Sequence, residues 1–385
     1  MNKKAIAILG AIFILIVGAL GFLIYNHNKS KDSTETPPTN EEPNPVVEET
    51  PPPVEEPPKV SGAVRITDEP IISPILFFQG TGISYFDSTG QLYQTDLEVK
   101  DDGTALLSNR RQYSVALKPN ITKILWPAVG INYIAQFGPD SKPTWSVYET
   151  SKAAYADVPS QVYSIDWLPS GDKIMYVWVD ANGKATLNVS NPDTTGYQEL
   201  TDFYEPDNVI DLSPDGSSVL FYRTQTTDVT KNSINLVSAD GKTFRSVVKD
   251  GYNTGTLWSP DSKKFLFNKR DASSQKLALW VADVSTGEVR SLGVSTTVEK
   301  AVWSKDGLSV FVGVPTTGVA GQGLTQDALQ KITIASGQQQ TFDAGIAVDA
   351  RDLFLSTNEK VLFFRNAQDN QLYYISVNSS PTINN

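Results

Sequence analysis

"LWSPDSKKFLFNK", residues 257–269, sets a tryptophan, a polar turn and a short apolar run side by side. Pro260 presets φ for the second position of a type I turn, and Ser259 suits the first. Phe265, Leu266 and Phe267 do not alternate with polar residues, which is the pattern of a strand buried on both faces. The stretch recurs, and its relatives decide the fold. They are "IDWLPSGDKIMYVW" at 165–178, "IDLSPDGSSVLFYR" at 210–223 and "AVWSKDGLSVFVGV" at 301–314. Weaker copies are "ILWPAVGINYIAQF" at 124–137 and "LFLSTNEKVLFFRN" at 353–366.

The anchors Trp126, Trp167, Leu212, Trp258, Trp303 and Leu355 lie 41, 45, 46, 45 and 52 residues apart. A period in the forties with four short strands per unit is the sequence signature of a propeller blade. In the unit that contains Trp258, strand A covers 256–259 and B covers 264–269. Strand C is "LALWVADV" and D is "VRSLG". Strand C recurs as "QLYQTDL", "TWSVYET", "ATLNVS", "INLVSAD", "LQKITI" and "QLYYISV". The first unit, beginning at "IISPILF", lacks the tryptophan, and the last lacks a D strand. The orphan strand "AVRIT" at 63–67 is expected to pair beside the last C strand and close the ring, which removes exposed sheet edges. The expectation is an all-β fold, a seven-bladed β-propeller over 61–385; six blades with an appended hairpin is the alternative.

The turn spelled Ser213-Pro214-Asp215-Gly216, followed by an apolar strand, resembles the WD-like repeats of TolB-type β-propellers. Variants stand at 259–262 and 304–307. The likeness is good over 160–370 and poor on the flanks. Propellers of the TolB type follow an α/β domain, whereas here a proline-glutamate segment occupies that place. The resemblance therefore implies the fold and carries over no role in the Tol system.

Residues 5–25 contain no charge. At 1.5 Å per residue they would span about 30 Å, the thickness of a bilayer's hydrocarbon core. Residues 1–30 read as a retained membrane anchor, with Lys3 and Lys4 tipping the amino terminus inward. A cleavable signal peptide with Ala19 and Gly21 at its end is the alternative. Residues 32–59 hold nine prolines and seven glutamates with no aromatic. Such a chain cannot bury enough surface to fold, so 31–60 reads as a disordered, extended spacer. The propeller is thus expected as a single-pass membrane protein's extracytoplasmic domain in a bacterial cell envelope.

Composition excludes much chemistry. The net charge of −11 argues against nucleic acid. No cysteine is present, which removes thiolate nucleophiles and Cys-type zinc sites. His27 is the only histidine and precedes the folded region, so neither a Ser-His-Asp triad nor histidine-ligated metal is expected. "GVAGQGLTQD" at 318–327 is glycine-rich but has neither the lysine nor the helix start of a phosphate loop. "DDGTA" at 101 and "DANGK" at 180 are too short for a calcium loop and read as hairpin turns. Only paired carboxylates could support catalysis, as in glycoside hydrolysis. Asp166, Asp211 and Asp352 lie in or beside A strands near the channel, and read first as hydrogen-bonded blade residues. No enzyme activity, cofactor or metal is expected.

In a propeller the B–C and D–A loops emerge on one face, and function concentrates on loops held by a rigid scaffold. The longest B–C connections are expected at 223–233, 269–276 and 315–328, in three consecutive blades. Thr316, Gly321 and Gln322 are the candidate contacts there, bordered by the D–A residues Tyr204, Glu205, Tyr252 and Asn253. The expected partner is a protein or peptide bound without catalysis. Binding or carboxylate-based cleavage of a cell-wall polysaccharide is the alternative.

Overall fold

The computed structural model describes residues 62–113, 117–140, 142–203, 205–223, 233–249, 251, 255–270 and 276–377. The anchor and the spacer lie outside these residues. Among the described residues no helix is long and apolar enough to cross a membrane.

A two-residue strand, β1 (Val64–Arg65), comes first. Blade 1 follows as β2 (Ile71–Phe77), β3 (Gly82–Asp87), β4 (Leu92–Val99) and β5 (Ala105–Gln112). Blade 2 is β6 (Ile121–Leu125), β7 (Tyr133–Phe137), β8 (Thr144–Glu149) and β9 (Ala154–Asp157). Blade 3 is β10 (Val162–Trp167), β11 (Ile174–Val179), β12 (Ala185–Ser190) and β13 (Gln198–Phe203). Blade 4 is β14 (Asn208–Leu212), β15 (Ser218–Arg223), β16 (Ile234–Ser238) and β17 (Phe244–Val248). Blade 5 is β18 (Thr256–Trp258), β19 (Lys264–Arg270), β20 (Leu277–Asp283) and β21 (Val289–Ser291). Blade 6 is β22 (Ala301–Trp303), β23 (Ser309–Val319), β24 (Gln322–Thr333) and β25 (Gln339–Phe342). Blade 7 is β26 (Ala350–Leu355), β27 (Val361–Asn366) and β28 (Gln371–Ser376).

The missing outer strand of blade 7 is β1, which pairs antiparallel with β28 in the register Val64 to Tyr374 and Arg65 to Tyr373. Seven antiparallel sheets of four strands result, closed as the sequence implied. The apolar side chains partition to match. Seven buried clusters each join two neighbouring blades. Phe265 and Phe267 face blade 4 in one cluster, while Leu266, between them in sequence, faces blade 6 in another. A three-residue apolar run with no alternation is therefore what a blade buried on both faces requires.

The recurring tryptophan does more than fill space. Trp126, Trp167, Trp258 and Trp303 each donate an indole N–H to a backbone carbonyl of the preceding blade's first strand, at 3.0–3.1 Å. The acceptor for Trp258 is Asp211 and for Trp303 is Leu257, each just before the anchor of its own blade. Where leucine replaces the anchor at 212, its backbone N–H instead donates to Asp166 Oδ2 at 3.0 Å. The turn after the anchor is closed by its own side chains. Ser213 Oγ donates to Asp215 Oδ1 at 2.7 Å and accepts the Ser218 N–H at 3.0 Å, and Ser259, Ser304 and Ser356 repeat the first bond. Gly216 holds φ 70°, which a glycine takes without steric cost. Ser262 takes the equivalent position at φ 59°, and its Oγ accepts the Asp215 N–H of the previous blade at 3.0 Å.

One expectation fails. Residues 315–328 are not a loop: β23 and β24 continue as a paired hairpin to Val319 and Gln322, leaving Ala320 and Gly321 as its turn. Gly318, Gly321 and Gly323 all adopt positive φ, so the glycines serve a twisted hairpin rather than an irregular loop. The tip lies on blade 5, because a Cβ at Gly321 would stand 3.0 Å from Leu277 Cδ1.

Candidate functional site

Of the candidate contacts, Tyr204, Tyr252 and Asn253 lie outside the described residues. Thr316 and Gln322 sit on the strands of the blade 6 hairpin with Gly321 at its turn, and Thr316 Oγ1 donates to Gln326 O at 2.9 Å. Glu205 belongs to a different place, the cleft between blades 3 and 4. The fold thus separates the blade 6 residues from Glu205 instead of gathering them into one site.

The cleft at Glu205 is a groove of about 800 Å³. Its apolar side is a run of rings: Phe203 stacks on Phe221 at 4.8 Å between centroids, and Phe244 meets Phe221 edge-on at 5.9 Å. Phe203 and Phe221 come from facing strands of the two blades. Phe244 remains 48% exposed, which leaves an aromatic face to solvent. At the loop end Arg223 grips Asp207 through Nε and Nη2, both at 2.6 Å, and Glu205 stands 3.6 Å from Arg223 Nη1. An apolar floor with a few placed charges at one end is the make-up of a recognition pocket. No sequence signal foretold Phe203, Phe221 or Phe244, whose spacing is that of ordinary strand residues.

The second concavity is the central channel, walled by the first strands of the blades. Its mouth, on the face where B–C and D–A loops emerge, is about 820 Å³ and lies against blades 7, 1 and 2. A deeper chamber of about 440 Å³ continues from it, sharing Lys123, Gln136, Asp140, Glu299 and Asp352. The strands at this mouth are irregular. Each of β2, β6 and β26 carries one residue more than its partner, as β10 also does, whereas β14, β18 and β22 pair regularly. Such bulges re-aim side chains and gather beside functional sites. Ser73 and Asp352 hold φ 46° and 49° within two of them. Ser73 Oγ and Ser164 Oγ accept the Ile124 and Ile210 N–H groups of the next blade, so part of the irregularity stitches blades together. Lys123 and Asp352 make no such stitch. Asp352 accepts from Arg365 Nε at 2.6 Å, and Lys123 faces the cavity.

Asp166 and Asp211 do line the channel, as expected from their strand positions. Asp166 accepts from the backbone N–H groups of Trp167 and Leu212, so both its oxygens are occupied. Burial, followed by the neighbouring Asp166 charge, lifts Asp211 to about 8. Asp211 in turn accepts from Thr256 Oγ1, so both carboxylates are engaged with the blade framework that lines the channel.

A buried ion cluster escaped sequence reasoning. Lys300, in a short 3₁₀ turn before β22, is fully buried; its Nζ meets Asp327 Oδ2 at 2.6 Å and Asp349 Oδ1 at 2.7 Å and donates to Thr325 Oγ1. Arg351 Nε closes on Asp349 at 2.9 Å and its Nη1 on Glu299 at 3.3 Å. Burial pushes Asp349 up, but hydrogen bonds from Lys300, the Thr325 N–H and Arg351 outweigh it and hold the carboxyl below its ordinary value. These residues come from separate stretches, and no spacing announces them. Among the described residues no group of histidines, cysteines and carboxylates could hold a metal ion.

No family model matches the chain, and no curated protein is similar to it in sequence. Solved structures are similar in fold. Hydrazine synthase of Kuenenia stuttgartiensis matches with a TM-score of 0.56 at 11% identity, over 82% of this chain and 98% of that one. Oligogalacturonate lyase of Vibrio parahaemolyticus matches at 0.58 and 11%, over 82% and 93%. The β-propeller domain of Cps50 (Swd1) from Myceliophteria thermophila matches at 0.55 and 11%, over 82% and 99%. The chain is a seven-bladed β-propeller. Proteins with such different names share its architecture, so the likeness speaks for the fold, and function has to be argued from the site.

Proposed function

We propose that this propeller is a non-catalytic binding module, held outside the cytoplasm by its amino-terminal anchor and spacer, that takes a protein or peptide segment on its B–C/D–A face. The observation that carries the reading is the groove between blades 3 and 4, where Phe203, Phe221 and Phe244 line a cleft ended by Glu205 and by Arg223, which Asp207 holds. An apolar side chain of the partner would seat on the rings, since aromatic contacts dominate interface energetics. The polar end would fix its direction. The TolB-like spelling of the turns supports a scaffold of this kind, because it belongs to the framework and leaves the clefts free to vary. Glycan cleavage has less to stand on, with both oxygens of Asp166 already accepting backbone N–H groups and Asp211 accepting from Thr256 Oγ1.

Peptide-display selection on the detergent-solubilised full chain tests this. Phe244→Ser removes a half-exposed groove ring with its edge contact to Phe221 and should lower stability by no more than about 1.5 kcal/mol, leaving the protein folded. Peptides enriched on the wild type should bind the variant at least about tenfold more weakly, a loss of about 1.4 kcal/mol. No enrichment, or equal binding to both proteins, would remove the groove from the reading.

A further inference from the structure

We propose that the mouth of the central channel binds a small zwitterion of the diamino-acid class, with its carboxylate on Lys123 and an ammonium on Asp140 and Glu299. The inventory of charges at the mouth leads there. Arg365 is committed to Asp352 at 2.6 Å and to Asn370 Oδ1 at 2.6 Å. Arg351 is committed to Asp349 and Glu299. Lys123 is exposed to the cavity and, among the described residues, forms neither a hydrogen bond nor an ion pair. Asp140 accepts one hydrogen bond, from Gln136 Nε2 at 2.6 Å, and has no cationic partner among the described residues. Glu299 meets Arg351 through Oε2, and its Oε1 has no partner among the described residues.

What is left is the Lys123 ammonium, the Asp140 carboxylate and the second oxygen of Glu299 around a single cavity, with Asp166 and Asp211 in the deeper chamber also close to Lys123. A simple anion drawn to Lys123 would meet Asp140, which has no cationic partner among the described residues, and Glu299, which shares Arg351 with Asp349. A simple amine would leave Lys123 facing its own charge. A molecule that carries both signs satisfies all three groups, and a second ammonium matches the second carboxylate. Pro70, Ile72 and Pro139 provide an apolar wall for a methylene stem. Lys123 follows the extra residue of the β6 bulge, the kind of irregularity that re-aims a side chain. A cavity of about 820 Å³ accommodates such a molecule, since small-molecule sites span roughly 300–1,000 Å³. This site is separate from the groove between blades 3 and 4.

Isothermal titration of the detergent-solubilised full chain with lysine, acetate and butylamine tests the proposal. Lysine should bind, and acetate and butylamine should each bind at least about tenfold more weakly. Lys123→Met and Glu299→Gln should each weaken lysine binding by at least about tenfold. Lys263→Met, in the turn between β18 and β19 and outside the cavity lining, should change nothing. The proposal is overturned if lysine gives no binding, if acetate binds as tightly as lysine, or if Lys123→Met binds lysine undiminished while its melting curve matches the wild type.

Discussion

Asp211 shows how one residue can carry a pH dependence for the whole channel. Its carboxyl lies beside Asp166, accepts from Thr256 Oγ1 and is close to Tyr222 and Lys123. Burial and the Asp166 charge raise it from 3.8 to about 8. An acid whose folded value is raised contributes most to stability below its unfolded value. That contribution drains away as pH rises towards the folded value, because the unfolded chain releases the proton first. Asp211→Asn preserves shape and removes the titration. The melting temperature of the variant minus that of the wild type should therefore grow between about pH 5 and about pH 8 and level off above. A difference that stays flat over that range would show that Asp211 is already ionised in the native channel.

At the scale of elements, the blade 6 hairpin is the clearest case of structure made by distant contacts. Residues 315–328 read as a loop because Gly318, Gly321 and Gly323 are turn formers and the stretch lacks β-branched alternation. The ladder that holds it runs from β23 to β24, and Lys300 fastens Thr325 and Asp327 on β24 to Asp349 at the start of blade 7. Lys300→Met leaves two buried carboxylates with less compensation and should cost about 3–5 kcal/mol, read from the urea midpoint. Adding Asp327→Asn should recover part of the loss. A cost below about 1 kcal/mol would mean that the cluster is hydrated and does not hold the hairpin. By contrast, Ser259-Pro260-Asp261 and Trp258 were legible because a turn closes on its own side chains and an anchor repeats at a fixed period. Lys123, Lys300 and the three groove phenylalanines were not. Nothing in their local sequence sets them apart, and it is packing between blades that brings them to their partners.

For the whole molecule, closure falls on the few residues that join the two ends. β1 contributes two ladder positions, and flanking bonds run from Ala63 N–H to Ala344 O at 2.7 Å, from Ile66 N–H to Leu372 O at 2.9 Å and from Leu372 N–H to Thr67 Oγ1 at 2.9 Å. Val64 and Ile66 also pack into the cluster between blades 7 and 1. Each pairing spans the length of the ring, whereas every other blade is built from consecutive hairpins. Local hairpins close small loops early, and the longest loop costs the most entropy, so the seam forms after the rest. Ile66→Pro deletes one donor and cannot sit flat beside β28. Interactions that form late act on unfolding more than on folding. The variant should therefore unfold several-fold faster, while its refolding rate stays within about twofold of the wild type. Stopped-flow unfolding and refolding in urea, followed by tryptophan fluorescence, separates the two rates. Slower refolding with an unchanged unfolding rate would place the seam in the folding nucleus, and the blades would then have to assemble around an already closed ring.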